Sequence, residues 1–161
     1  MLRLQCEVKK YDWGHRGSTS LVAELAANGD AQLEIDPGAP YAELWMGAHV
    51  SGPSLTSLSH ESLTSWLSRH PSVLGEEVLL KYGVHLPFLF KVLSVQKSLS
   101  IQSHPDKKLA ERLHAERPGI YKDSNHKPEI ALAVCVLFPS RCEHQSWCIQ
   151  LQGKCHSGER I

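Results

Sequence analysis

Gln102 and His104 stand two positions apart in the stretch SLSIQSHPDK (98–107), framed by Ser100 and Ser103 and halted by Pro105. An imidazole is an ordinary zinc ligand, and a side-chain amide oxygen is a weaker, neutral one. An extended backbone sends alternate side chains to one side, so Ser100, Gln102 and His104 are expected to share a polar face while Leu99 and Ile101 take an apolar one. The competing expectation is that His104 merely caps a helix beginning near Pro105. A second polar set occurs in NHKPEIALAV (125–134). If KPEIALA is a strand, Lys127, Glu129 and Ala131 share a face opposite Pro128, Ile130 and Leu132. Pro128 donates no ladder hydrogen bond, which confines it to the beginning or edge of that strand. Glu129 brings a carboxylate, another common donor to a divalent ion.

Lys91 is a lone cation in the apolar run LPFLFKVLSV (86–95). A short run of this kind predicts a strand buried on both faces. Lys91 then either snorkels at a sheet edge, the reading that the sequence puts slightly ahead, or aims its ammonium into a polar cavity.

Such side chains need elements to hold them. LRLQCEVKK alternates weakly and predicts a first strand, followed by a glycine-bounded turn in YDWGHRG. STSLVAELAANG predicts a helix capped by Ser18 or Thr19, with Val22, Leu25 and Ala26 on one face. YAELWMG (41–47) predicts a strand. SHESLTSWLSRHPSVLG predicts a second helix, capped by Ser59 and stopped by Pro71, and DKKLAERLHAERPG a third, opened by Pro105 and closed by Pro118–Gly119. The resulting class is mainly β with added helices, a half-open antiparallel sandwich whose inner polar end holds a ligand.

Composition narrows the function. The 161 residues suit one domain, and 42% hydrophobic content supports a buried core. Seventeen Lys and Arg balance seventeen Asp and Glu, so no electrostatic footprint for nucleic acid or an anionic membrane is expected. No apolar run is long enough to cross a bilayer and the N-terminus has no signal-peptide pattern, so a cytoplasmic monomer is expected. Cysteine usage changes near Val134: Cys6 stands alone before it, whereas Cys135, Cys142, Cys148 and Cys155 follow. These four lack the tight pairs of a zinc ribbon. Residues 1–133 are therefore expected to form the folded part, and 134–161 a poorly structured, cysteine-rich tail with free thiols.

The segments Tyr11–Gly14 (YDWG), YAELWMGAH (41–49), LPFLFKVLSV, SLSIQSHPDK and NHKPEIALA (125–133), taken in that order, resemble the type I phosphomannose isomerases. The resemblance implies a partial cupin, jelly-roll β-sandwich with helical insertions. It also implies one zinc ion, a sugar-phosphate substrate and the interconversion of mannose 6-phosphate and fructose 6-phosphate. It implies Gln102, His104 and Glu129 as zinc ligands, Ser100, Lys127 and Lys91 as active-site residues, and Glu43 and Trp13 as pocket-lining positions. The family continues into a longer chain that brings a fourth zinc ligand, a histidine, and an active-site arginine. The segment CVLFPSRCEHQSWCIQLQGKCHSGERI (135–161) carries no such motif, and His144 and His156 are its histidines. Two further outcomes stand beside an active isomerase: an inactive fragment of that enzyme, and a module that binds sugar phosphate without converting it.

Overall fold

The computed structural model describes residues 2–122 and 124–134 in full, and Ser146–Gly153 as backbone. In chain order the strands are β1 (Leu4–Gln5), β2 (Glu7–Lys9), β3 (His15–Arg16), β4 (Pro40–Tyr41), β5 (Glu43–Met46), β6 (Leu55–Thr56), β7 (Phe88–Val95), β8 (Glu129–Ala133) and β9 (Ser146–Gly153). The helices are α1 (Leu21–Gly29), α2 (Leu63–Arg69), α3 (Glu76–Tyr82) and α4 (Lys107–Glu116). Five strands form one antiparallel sheet in the order β2-β5-β7-β9-β8, while β1 pairs with β6 and β3 with β4. The class is mainly β with short helices, as expected, and no closed barrel forms among the described residues.

Strand alternation gives this sheet two unlike faces. Leu44 of β5 and Val92 of β7 pack with Val22, Ala23 and Ala26 of α1 and with Tyr41, all buried. Each large side chain removed from water there contributes about 1.5–3 kcal/mol. The next residues along the same strands, Glu43, Trp45, Lys91 and Leu93, border a cavity instead. The helix α1 thus closes one face, and the opposite face is left for chemistry.

Helix starts differ from the expected ones for local reasons. Ser20, not Ser18 or Thr19, caps α1: its hydroxyl accepts from Ala23 N at 3.4 Å and donates to Tyr41 O at 2.8 Å. Residues Gly17–Thr19 are spent in a 3₁₀ turn, which moves the α-helical start along the chain. Ser62, not Ser59, caps α2, accepting from Ser65 N at 3.1 Å. Ser59 lies in the preceding turn, 2.7 Å from the Thr56 hydroxyl. Asp106 caps α4, accepting from Leu109 N at 2.9 Å, so His104 is not the cap.

Two further expectations are corrected. Residues 98–106 pair with no strand among the described residues, so the alternating stretch is a loop and not the predicted strand. Within the segment expected to lack structure, Ser146–Gly153 forms β9 and pairs with both β7 and β8. The sequence Trp147-Cys148-Ile149-Gln150-Leu151-Gln152 alternates apolar and polar residues more regularly than its cysteine content suggests. Cys135, Cys142, Cys155, His144 and His156 lie outside the described residues. Among the described residues, no helix is long and apolar enough to cross a membrane.

Candidate metal and sugar-phosphate site

A cavity of about 800 Å³ opens on the sheet face away from α1. Its floor comes from β5 and β7, where Trp45 lies directly across the ladder from Lys91 and Glu43 from Leu93. Lys91 is only 8% exposed, as are Glu43 and Trp45, because β7 is an interior strand with β5 on one side and β9 on the other. The edge-snorkelling reading of Lys91 is thereby overturned: a lysine on an interior strand has no edge to reach. Its ammonium lies 3.4 Å from Glu43 Oε2 and 4.9 Å from the centre of the Trp45 ring. The indole Nε1–H of Trp45 donates to the same Glu43 oxygen.

One wall of the cavity is the YDWG turn. Gly14 N donates to Tyr11 O at 3.1 Å, and Trp13 O accepts from both Gln96 N and Lys97 N at 2.9 and 3.2 Å. Those bonds tie the turn to the end of β7. Gly14 is required here by space, since a Cβ would lie 2.6 Å from Ala42 Cα. The Tyr11 and Trp13 rings stack with centroids 5.9 Å apart. Partial desolvation, followed by the negative charge of Glu43, holds the Tyr11 phenol above its ordinary pKa, while Lys9 pulls the other way.

The opposite wall combines the 98–106 loop with edge strand β8. Ser100, Gln102 and His104 border the cavity together with Glu129 and Ala131, as the alternation of the sequence predicted for each segment. Leu99 borders it as well, so the polar and apolar sides of the loop do not separate cleanly, although Ile101 is fully exposed. His104 Nε2 lies 3.5 Å from Glu129 Oε2. Gln102 Nε2 donates to Ser100 Oγ at 3.2 Å, which leaves the amide oxygen, the metal-competent atom, on the other branch of the side chain.

The donor chemistry suits zinc. Two ligands held about 2.0–2.1 Å from a tetrahedral zinc stand roughly 3.3 Å from each other, close to the His104–Glu129 spacing. No cluster of three or more His, Cys, Asp and Glu with metal-binding geometry occurs among the described residues. The set therefore needs the uncharged donor, Gln102, to reach three ligands.

Lys127 stands apart from the other expected site residues: it does not border this cavity. Strand pairing of β8 begins at Glu129, so the alternation that directs Glu129 and Ala131 does not extend back through Pro128 to Lys127. Trp45 is the residue that the sequence analysis missed. The signal available was its place in AELWMG, two residues after Glu43 and hence on the same strand face.

An antiparallel sheet with one helix-covered face and a cavity on the other, bordered by carboxylate, imidazole and amide donors, is cupin-like in architecture. Residues 1–146 match the catalytic domain of type I phosphomannose isomerase, and the chain belongs to that family. It is 59% identical over 136 residues to mannose-6-phosphate isomerase 1 of Arabidopsis thaliana, covering 81% of this chain and 31% of that one. Against mannose-6-phosphate isomerase of Schizosaccharomyces pombe the identity is 54%, covering 83% of this chain and 32% of the relative. A point mutant of phosphomannose isomerase from Salmonella typhimurium superposes with a TM-score of 0.66 at 36% identity, over 83% of this chain and 34% of that chain. A mannose 6-phosphate isomerase bound with zinc and yttrium gives 0.63 at 34% identity, over 83% of this chain and 35% of that chain. The chain thus spans about a third of the length of these relatives.

Proposed function

We propose that this chain carries the N-terminal share of a zinc-dependent site that interconverts mannose 6-phosphate and fructose 6-phosphate in the cytoplasm, feeding mannose metabolism. The observation carrying the reading is convergence: Gln102, His104 and Glu129 border the same cavity as Ser100, Lys91, Glu43 and Trp13, in a chain of this family. Gln102, His104 and Glu129 hold the ion through its amide oxygen, imidazole and carboxylate. When bound, zinc supplies a Lewis-acid centre toward the sugar oxygens.

The isomerisation moves a proton between C1 and C2 through a cis-enediol, and negative charge develops on oxygen as carbon is deprotonated. Lys91, buried beneath the cavity, places a fixed cation against that charge in surroundings that screen it weakly. Ser100 offers a hydroxyl to the sugar or its phosphate, and its bond from Gln102 couples this contact to the metal ligand. Trp13 supplies an aromatic wall. Lys127, which the family resemblance implies as an active-site residue, does not border the cavity. Glu129 is engaged by the metal and is not assigned as the proton-transferring base.

A second reading is favoured by the span of the chain, about a third of its relatives. In it the site binds sugar phosphate without turnover, or the chain is an inactive fragment. One assay separates the readings: the 161-residue protein with added zinc is given mannose 6-phosphate, and fructose 6-phosphate is followed with the His104→Ala protein as blank. Turnover above the blank establishes a complete site; saturable binding with no ketose formed establishes the binding module. A folded chain that neither binds nor converts the sugar phosphate sinks both functional readings and leaves the inactive fragment.

A further inference from the structure

We propose that Trp45 is a positioning residue of this site, one that aims the Lys91 ammonium by holding the Glu43 carboxylate; the proposal rests on the reading just given. Lysine has a flexible four-carbon stem, and an ammonium is a point charge with no directional fork, so a single carboxylate oxygen leaves it many arrangements. Trp45 removes that freedom in two ways. Its indole N–H donates to Glu43 Oε2, the atom that also faces Lys91 Nζ at 3.4 Å, and this fixes the carboxylate rotamer. Its ring also lies 4.9 Å from Lys91 Nζ, offering the cation a π face.

The register makes this arrangement specific to residue 45. Trp45 is the direct cross-strand partner of Lys91 on β7 and of Glu7 on β2, so it occupies the middle of three strands. From β2, Lys9 sets a second ammonium 4.5 Å from the same ring and is itself held by Glu7 Oε1 at 3.1 Å and Ser51 O at 2.8 Å. Lys9 thus approaches the ring from the β2 side, while Lys91 borders the cavity. A neutral donor is what the position requires: an arginine or lysine at 45 would compete with Lys91 for Glu43 and add charge.

The test uses the parent chain with zinc, Trp45→Phe and Trp45→Leu, with mannose 6-phosphate binding followed by calorimetry. Trp45→Phe keeps a ring beside both lysines and removes the N–H alone. It is expected to weaken binding about tenfold, the usual effect of losing one hydrogen bond to a charged group. The groups facing Glu43 are Lys9 on β2, Lys91 on β7 and Tyr11 in the turn, and none is altered by the substitution. Trp45→Leu is expected to weaken binding further. The indole N–H resonance of Trp45, identified by its loss in Trp45→Phe, is expected to move in Glu43→Gln, where the charged acceptor is lost. A merely structural tryptophan would lower the unfolding midpoint and leave unchanged both the affinity of the folded protein and this resonance in Glu43→Gln. Parent-like affinity in a folded Trp45→Phe overturns the proposal alone. Absence of sugar-phosphate binding by the parent overturns the functional reading, and the proposal with it, even where the indole resonance still responds to Glu43→Gln.

Discussion

The two walls of the cavity are built in opposite ways. Glu43, Trp45 and Lys91 stand on interior strands of the sheet, nine-tenths buried and bonded to one another. His104 and Glu129 stand on an unpaired loop and an edge strand, with side chains 29% and 27% exposed, facing each other at 3.5 Å. On the interior side the ladder and the core behind it orient the side chains before any ligand arrives. On the exposed side His104 and Glu129 stand at a spacing that suits a shared zinc, and a bound ion would order this loop and strand further. Cation placement is thus a property of the fold, and ligand placement a property of fold plus metal.

Removing a metal donor is the strongest way to break this contrast. His104→Ala and Glu129→Ala are each expected to weaken zinc binding on the order of a thousandfold, ~4 kcal/mol, in competition with a chromophoric chelator. The metal-free chains should unfold at the parent midpoint, because half-exposed side chains contribute little to the core. Unchanged zinc affinity would remove these residues from the ligand set.

The interior wall should behave in the reverse sense. Lys91→Met leaves the Glu43 carboxylate buried without its cation and is expected to cost about 3 kcal/mol in urea unfolding. The double change Lys91→Met with Glu43→Gln should recover a large part of that loss. Zinc affinity of the double variant should stay near the parent value, and a large fall would show that the two walls are energetically one.

Asp106 sharpens the comparison at smaller scale. Its carboxylate caps α4 two residues after His104. Asp106→Ala should lower stability by about 1 kcal/mol, seen as a lower urea midpoint, and should weaken zinc binding slightly by loosening the loop that ends at the cap.

The smallest expected effect is on pH dependence. Burial holds the His15 imidazole below its ordinary pKa, partly offset by a backbone hydrogen bond at Val95. The unfolded chain therefore binds the proton more readily. Stability from this group is complete above the unfolded value and declines as pH falls through it toward the folded one. Between pH 7 and pH 5 the thermal midpoint should fall, by less in His15→Gln; equal slopes in both chains would reject His15 as the cause.

Much of the exposed wall was legible in the residues. Period-two alternation puts Ser100, Gln102 and His104 on one side and Glu129 with Ala131 on one side, and these relations need only an extended backbone, with or without a paired neighbour. The loop 98–106 presents Ser100, Gln102 and His104 to the cavity although it is no strand, but Leu99 lines the cavity beside them, so the alternation captured this segment only in part. The interior wall was less legible. Nothing local to LPFLFKVLSV says whether Lys91 is on an edge or in the middle, because strand order is set by pairings remote in sequence. Trp45 escaped notice for a related reason: an aromatic residue in a strand is ordinarily core, and its donor role appears only once Glu43 and Lys91 are placed around it.

The sequence by itself determined the mainly β class, most of the helices and strands, the family and the donor types available for a divalent ion, because each depends on residue identity and short-range backbone geometry. The tertiary structure alone decided which of these meet. It set Trp45 opposite Lys91 through the β5–β7 register and interposed β9 between β7 and β8. The strand bearing Glu129 therefore joins the sheet that carries Lys91 through residues that had looked structureless. It also left Lys127 outside the cavity its neighbour Glu129 enters. The physical reason is that pairing across a sheet joins residues far apart in the chain, and its register is chosen by the burial of whole strand faces.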